Sequence, residues 1–216
     1  MSAESREPST KRPPALRAAV VLLAAGLSSR MGARNKLLID IEGVPLVRRT
    51  ARTYLAAGAD VHVVVGHEAA AVLAALAELP LTFVENPCFA EGQQTSVRAG
   101  LDSLPDGYDA VLVGLADQAA LTPADISDLL GAFAEGRRDR ILIPFYGGQR
   151  GNPVLFPATI IAAIRAGGRS AAGRSFIDAN PQLTQHFEAV SDHFIIDIDT
   201  PDDLRSFMDR TGSHPV

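Results

Sequence analysis

Apolar runs of strand length alternate along the chain with segments of helical length. The five clearest runs are Ala18–Ala24, Val61–Val65, Leu81–Val84, Ala110–Leu115 and Ile141–Phe145. Uninterrupted apolar runs of this length are typical of parallel strands that are buried on both faces of a sheet. The segments between them predict four helices: Pro45–Ala57, Glu68–Leu79, Thr95–Leu104 and Pro123–Glu135. This alternation predicts a single three-layer α/β/α domain with a Rossmann-like, mostly parallel sheet.

The pattern is looser at both ends of the chain. Residues 1–16 are polar and rich in proline, which predicts a disordered N-terminal tail before one domain at 17–216 without internal repeats. Beyond residue 150 we predict five segments in order: a strand at Pro153–Phe156, a helix at Ala158–Ala166, a Gly/Ala/Arg-rich link through Arg174, a strand near Phe194–Asp197 and a closing helix from Pro201.

Composition excludes several classes of protein. The 216 residues are 47% hydrophobic and 21% charged, which is typical of a globular protein. No run approaches the roughly 18 apolar residues of a membrane helix, and the first residues lack the apolar core of a signal peptide. Cys88 is the single cysteine, so no intrachain disulfide forms. We therefore expect a cytoplasmic protein without a membrane partner.

The charge is unevenly distributed along the chain. The net charge is −5, which argues against nucleic-acid binding, yet residues 1–36 hold seven Lys or Arg against two Glu. Three of these cations, Arg30, Arg34 and Lys36, lie in the loop after the first strand, and this loop contains no acid. Loops at this place in a parallel sheet bind phosphates, and the small residues there, including Gly26, let the backbone approach an anion. The loop therefore predicts an anion site.

The loop does not match the two most common phosphate-binding patterns. Gly26 and Gly32 are not followed by the Lys-Ser or Lys-Thr of a Walker loop, and their spacing does not fit G-x-G-x-x-G. Arg30 offers a planar fork to phosphate oxygens, and Lys36 offers a point charge. An ordinary turn with solvated basic residues is the alternative interpretation.

The loop sequence L-A-A-G-x-S-S-R-M-G-x-x-x-K resembles the signature of the sugar-nucleotide-type nucleotidyltransferases. Within that superfamily it looks like the molybdenum cofactor cytidylyltransferase branch. Six later stretches agree in the same order: Val64–Gly66, Asn86–Pro87, Gln94–Leu101, Leu115–Gln118, Arg150–Phe156 and Asp197–Leu204. The resemblance implies a fold of the nucleotide-diphospho-sugar transferase type.

The resemblance also implies a reaction and its reactants. An acceptor phosphate attacks the α-phosphate of a nucleoside triphosphate, with CTP preferred, and releases pyrophosphate. The implied catalytic residues are Arg30, Lys36 and Asp117. The implied nucleotide-binding residues are Leu23, Ala24, Ala25, Gly26, Ser28, Ser29, Arg30, Met31, Lys36, Gly66, Asn86 and Ser96. Molybdopterin is the implied acceptor, and molybdoenzymes are possible further partners.

Two aspartates are the expected Mg²⁺ ligands. By resemblance these are Asp117, after the strand Ala110–Leu115, and Asp199, after the predicted strand Phe194–Asp197. Mg²⁺ is commonly held by one or two carboxylates together with substrate phosphates and water. We expect Asp197 to face away from this site. The structural alternatives are a loop or capping role for Asp117 and a helix-capping role for Asp199 or Thr200.

The resemblance places the acceptor beside four residues: Arg98, Gln118, Asn152 and Arg174. Arg98 could equally cover the surface of its helix. The chain departs from the branch in two places. Ala119 stands where proline usually follows L-A-D-Q, and Arg169 or Ser170 stands where an acidic residue is common. In the family, the region of the second departure faces the acceptor.

Other functions stay open on the sequence alone. Within the same class the alternative is a guanylyltransferase, or a transferase for another phosphorylated small molecule. A dinucleotide-dependent oxidoreductase requires an acid about 20 residues past the glycines, and the region around Leu46 offers none. The third alternative is a non-catalytic partner that binds the molybdenum cofactor.

Overall fold

The computed structural model describes residues 16–27, 35–167 and 172–212, so the predicted tail lies almost wholly outside the described residues. Its strands are β1 (Ala18–Ala24), β2 (Asp40–Ile41), β3 (Val44–Pro45), β4 (Asp60–Val65), β5 (Thr82–Glu85), β6 (Ala110–Leu115), β7 (Ile141–Tyr146), β8 (Gln149–Arg150), β9 (Val154–Pro157) and β10 (Thr184–Glu188). Strands β2 and β3 form a hairpin, and the other strands form one sheet in the order β10-β7-β9-β6-β1-β4-β5, with β8 added to β7. Within this path only β9 runs antiparallel to its neighbours.

Helices cover both faces of the sheet, which confirms the predicted three layers. They are α1 (Leu46–Ala56), α2 (Ala69–Ala75), α3 (Gln93–Ser103), α4 (Pro123–Glu135), α5 (Ala158–Ala166), α6 (Arg174–Ala179) and α7 (Pro201–Thr211). Successive residues of β1 point to opposite faces. Val20 and Leu22 pack into the core beneath α1, α2 and α4, whereas Ala19 and Val21 pack beneath α3, α5 and α6.

Local sequence explains why two of these helices begin where they do. Thr122 and Asp125 form a capping box at the start of α4, with Pro123 in the first turn. Thr200 and Asp203 form the same arrangement at the start of α7. The cap of α7 is therefore Thr200 rather than the preceding Asp199.

The topology brings the ends of three central strands together. β1 pairs in parallel with both β4 and β6, so that Leu23 lies opposite Val64 on one side and Leu115 on the other. The segments that follow these strands begin with Ala25, Gly66 and Ala116 at one edge of the sheet. Ligands bind at this edge in open parallel sheets.

The structure corrects the prediction at the C-terminal end. The predicted strand Phe194–Asp197 is wrong, because the chain there forms a 3-10 turn at Asp192–Ile195 followed by irregular backbone. The edge strand β10, the β2–β3 hairpin and helix α6 were not predicted. In the described part of the chain, no helix has both the length and the apolar character needed to cross a membrane.

Candidate active site

The first loop opens on a cavity of about 450 Å³ at this edge of the sheet, here called the central cavity. Leu23, Ala25 and Gly26 line it. The backbone of Gly26 is not in the left-handed region, and a Cβ built on it would meet nothing within 4 Å. Glycine at this position therefore leaves open space beside the first loop and is not required by a left-handed turn. The predicted residues Ser28, Ser29, Arg30 and Met31 lie outside the described residues.

Lys36 reaches the same cavity from a 3-10 turn at Lys36–Leu38. Asn35 caps the turn by accepting a hydrogen bond from the backbone N–H of Leu37 at 3.1 Å, and the buried Leu37 side chain anchors it. The Lys36 ammonium donates to Oδ2 of Asp117 and, at 2.6 Å, to Oδ1 of Asp199. The lysine at the end of the predicted anion-binding loop thus hydrogen-bonds to both predicted metal ligands.

These contacts set the charge of Lys36. Burial by itself lowers the pKa of the ammonium, but the charges and hydrogen bonds of Asp117 and Asp199 outweigh burial and raise the pKa above its usual value. Lys36 is therefore fully protonated at neutral pH.

A third carboxylate, Asp197, lies beside the other two. It lines the central cavity with Asp117 and Asp199, so the expectation that it faces away is wrong. Residues two apart in extended chain share a face, and the intervening Ile198 is buried on the other side. Burial, followed by repulsion from Asp117 and Asp199, raises the pKa of Asp197 to about 6, against the opposing effects of Lys36 and Gln118.

The carboxylates have the chemistry of a site for a hard cation. Oδ1 of Asp117 and Oδ1 of Asp197 are buried and have no hydrogen-bond partner among the described residues. In the same part of the chain, no three His, Cys, Asp or Glu side chains are arranged to hold a metal ion by themselves. An all-oxygen set that leaves positions for phosphates and water fits Mg²⁺ and excludes a closed zinc site.

A second cavity of about 560 Å³, here called the outer cavity, adjoins the central one. Gln93 and Leu115 line both cavities and form the boundary between them. Its polar wall includes Arg150, Asn152 and Arg174. Two of the predicted acceptor residues, Asn152 and Arg174, thus line one cavity, which adjoins the cavity that holds the aspartates.

The other two predicted acceptor residues have different surroundings. Arg98 does not line the outer cavity, because its guanidinium donates to the carbonyls of Ile164, Arg165 and Gly167 at the end of α5, at 2.9–3.1 Å. Gln118 is buried, and its Nε2 donates to the carbonyl of Phe194 at 3.0 Å. In this structure both side chains hold segments of the protein together rather than face an acceptor.

The predicted nucleotide-binding residues also divide into two groups. Ser96 lines the central cavity, whereas the Ala24 side chain packs into the core. Gly66 allows close packing, since a Cβ there would come within 2.7 Å of Phe89 Cβ. Asn86 is buried, and its Nδ2 donates to Oγ of Ser96 at 2.9 Å. Ala24, Gly66 and Asn86 therefore support the wall of the central cavity without lining it.

Comparison with known proteins identifies the family of the chain. Residues 20–187 match the family described as the MobA-like NTP transferase domain. The chain belongs to this family. It is therefore a nucleotidyltransferase by family, with a mostly parallel sheet like that of the solved members.

Individual relatives carry different names. The transferase is 30% identical over 196 residues to the nicotine blue oxidoreductase of Paenarthrobacter nicotinovorans, covering 85% of this chain and 93% of that protein. It is 26% identical over 203 residues to the molybdenum cofactor cytidylyltransferase of Escherichia coli K12, covering 88% and 95%. A solved nucleotidyl transferase from Methanothermobacter thermautotroptrophicus has a TM-score of 0.76 at 21% identity, covering 90% and 97%.

Sequence reasoning missed two residues of the site. Asp197 belongs to the same Asp-Ile-Asp stretch as Asp199, and the two-residue spacing was the signal that both share a face. Arg150 begins the stretch Arg150–Phe156 that carried part of the resemblance, but nothing in the sequence shows that it lies beside Arg174. In the structure both arginines approach the carboxylate of Asp178. Nη1 of Arg150 lies 3.5 Å from its Oδ1, and Nε of Arg174 lies 3.7 Å from its Oδ2.

Proposed function

We propose that this transferase moves CMP from CTP onto a phosphorylated acceptor of the molybdopterin type, with Mg²⁺ as the metal ion and pyrophosphate as the second product. The observation that carries the proposal is the convergence of Lys36, Asp117 and Asp199 on one cavity at the end of β1. A cation beside a phosphate loop and a pair of carboxylates are the groups that this chemistry needs.

The central cavity is the proposed nucleotide site. The backbone after β1, together with Arg30 and Lys36, binds the triphosphate, and Ser96 lies on the wall nearest the base. Asp117 and Asp199 hold the metal ion, which neutralises charge on the phosphates when it is bound. Lys36 offers its positive charge to the phosphates from the same cavity. Residues 17–216 act as one catalytic domain.

The outer cavity is the proposed acceptor site. Arg150 and Arg174 supply two positive charges against the one carboxylate of Asp178, and Val154 and Phe156 supply an apolar wall. This combination suits a flat ring that carries a phosphate. An acceptor held here has its phosphate at the boundary formed by Gln93 and Leu115, next to the nucleotide.

The reaction is an in-line substitution at phosphorus. An oxygen of the acceptor phosphate forms a bond to the α-phosphorus of CTP, and the bond from that phosphorus to the bridging oxygen of the β-phosphate breaks. Pyrophosphate leaves with the electron pair of the broken bond. A phosphate nucleophile is already ionised at neutral pH, so the protein mainly positions the two reactants and offsets their negative charge.

Base and acceptor specificity are tested by pyrophosphate release. Purified protein is incubated with molybdopterin, Mg²⁺ and each of CTP, GTP, ATP and UTP. We expect release with CTP, whereas release with GTP alone would make the protein a guanylyltransferase. Asp117→Ala separates the enzyme from a non-catalytic cofactor carrier, since it abolishes release by an enzyme but leaves delivery of the cofactor by a carrier unchanged.

A second candidate is an oxidoreductase, because a relative at 30% identity over most of the chain carries that name. The structure offers no support at the expected dinucleotide position, since Leu46 and its neighbour Val47 are buried and apolar. Titration with NADH, followed by its fluorescence, tests this candidate. Tight binding that survives Asp117→Ala would favour it over nucleotidyl transfer.

A further inference from the structure

A buried amide directly follows the first metal carboxylate. Gln118 is 1% exposed and lines neither the central nor the outer cavity. Its Nε2 donates to the Phe194 carbonyl at 3.0 Å, and its Oε1 has no hydrogen-bond partner among the described residues. Burying an amide costs free energy unless its hydrogen bonds are made. The hydrogen bond from Gln118 to Phe194 offsets part of that cost.

The Phe194 carbonyl is a fixed point in the fold. It also accepts a hydrogen bond from the backbone N–H of Asn152 at 2.9 Å. A Cβ on Gly151 would lie only 2.5 Å from this oxygen, so glycine permits the close approach. The Phe194 ring is buried and packs edge-to-face on Phe187, with ring centroids 5.9 Å apart. Gln118 therefore bonds to a carbonyl whose position is also fixed by the Asn152 hydrogen bond and by the packing of the Phe194 ring.

A second bond ties the same two segments together four residues later. The backbone N–H of Ile198 donates to the carbonyl of Asp117 at 3.1 Å, and the Ile198 side chain is fully buried. Consecutive residues of one loop, Asp117 and Gln118, therefore hold both ends of the stretch from Phe194 to Ile198. Asp197 and Asp199 flank Ile198 and face the central cavity.

We propose that Gln118 is a positioning residue of the metal site: its amide, through Phe194, sets where Asp197 and Asp199 stand relative to Asp117. This inference rests on the proposed function. It also replaces the acceptor-binding role that the sequence suggested for Gln118. Because metal ions need their oxygen ligands at fixed short distances, loss of such a support outside the ligand set commonly lowers metal affinity about 10- to 100-fold.

The experiment measures Mn²⁺ binding by electron paramagnetic resonance, in the presence of CTP and without acceptor. Gln118→Met keeps the length of the side chain but removes the amide, and Gln118→Asn keeps an amide that is one methylene too short. We expect both variants to bind Mn²⁺ about 10- to 100-fold more weakly than the unsubstituted protein. Each variant is first shown to be folded by its thermal melting transition.

Two controls separate positioning from general loss of stability. Leu129→Ala removes a buried side chain from the middle of α4, and we expect lower stability with unchanged Mn²⁺ affinity. The KM for the acceptor, measured at saturating Mn²⁺, is expected to stay unchanged in both Gln118 variants.

Three results would overturn the proposal. Unchanged Mn²⁺ affinity in both variants would show that the amide does not support the carboxylates. A raised KM for the acceptor with unchanged Mn²⁺ affinity would restore the acceptor-binding role. Absence of Mn²⁺ binding by the unsubstituted protein would remove the metal site itself, and with it the proposed function, which distinguishes that failure from a failure of Gln118 alone.

Discussion

The Lys36 ammonium lies 2.6 Å from Oδ1 of Asp199 and also bonds to Asp117, so that one cation joins carboxylates 81 and 163 residues further along the chain. Removal of this cation has two opposite effects. Lys36→Met removes a charge that stabilises the transferring phosphates, so we expect kcat to fall by about 10²- to 10³-fold. The same change leaves the carboxylates without their counter-ion, so we expect tighter Mn²⁺ binding in the absence of nucleotide.

Arg48→Met is the matched control for Lys36→Met. It also removes one positive charge, but Arg48 bonds to the carbonyls of Ala75 and Ala77 outside the site. We expect neither kcat nor Mn²⁺ affinity to change in this variant. Weaker Mn²⁺ binding by Lys36→Met would mean that the ammonium does not compete with the metal ion.

Two glycines of the site have different physical roles. Gly26 lines the central cavity and a Cβ built on it would meet nothing within 4 Å, so Gly26→Val is expected to weaken CTP binding at least about tenfold while stability stays within about 0.5 kcal/mol. Gly66→Ala brings a Cβ to 2.7 Å from Phe89 Cβ, so it is expected to lower stability. Calorimetric titration with CTP and urea denaturation measure the two effects. Loss of stability in Gly26→Val would contradict this assignment.

Substitution by methionine is predicted to lower stability at Arg98 and to weaken acceptor binding at Arg174. Arg98→Met removes hydrogen bonds to the end of α5, which is expected to lower the free energy of unfolding by about 1.5–3 kcal/mol with an unchanged acceptor KM. Arg174 is largely exposed on the outer cavity, so Arg174→Met is expected to raise the acceptor KM with unchanged stability. The reverse pattern would place the acceptor beside Arg98.

Asp125 gives the protein a predictable sensitivity to acid. Burial raises the pKa of this carboxyl, but hydrogen bonds from the side chain and backbone of Thr122 and from His193 outweigh burial and lower it below its usual value. A lowered folded-state pKa contributes stability above the unfolded pKa of about 3.9, and that contribution is lost as the pH falls through the folded pKa. The stability difference between the unsubstituted protein and Asp125→Asn should therefore shrink below about pH 4. Urea denaturation from pH 6 to 2.5 measures it, and a constant difference would contradict the assignment.

The sequence was sufficient where one local signal decided the structure. Pro123–Glu135 and Ala158–Ala166 are helices with the predicted bounds, and at the start of the first the Thr122 cap agrees with the apolar spacing. The apolar run Ala18–Ala24 is a strand with the predicted bounds, buried throughout. Lys36, Asp117 and Asp199 follow from the family pattern, and the structure brings all three to the central cavity although the strand expected before Asp199 does not form.

The sequence was insufficient where distant contacts decide the structure. The apolar letters of Phe194–Asp197 suggest a strand, but Phe194 is held by Gln118 and Asn152, which are far away along the chain. Strand β10 is polar and lies at the edge of the sheet, so no apolar run marks it. The burial of Gln118 and the engagement of Arg98 with α5 likewise depend on partners that no local pattern identifies.

Transfer of label from CTP tests the central claim most directly. The protein is incubated with molybdopterin, Mg²⁺ and CTP labelled at the α-phosphate, with Asp117→Asn as the inactive control. The account predicts one labelled nucleotide on the acceptor for each pyrophosphate released, and no label with the control. Unlabelled acceptor under these conditions and with GTP, ATP and UTP, or equal labelling by Asp117→Asn, would contradict it.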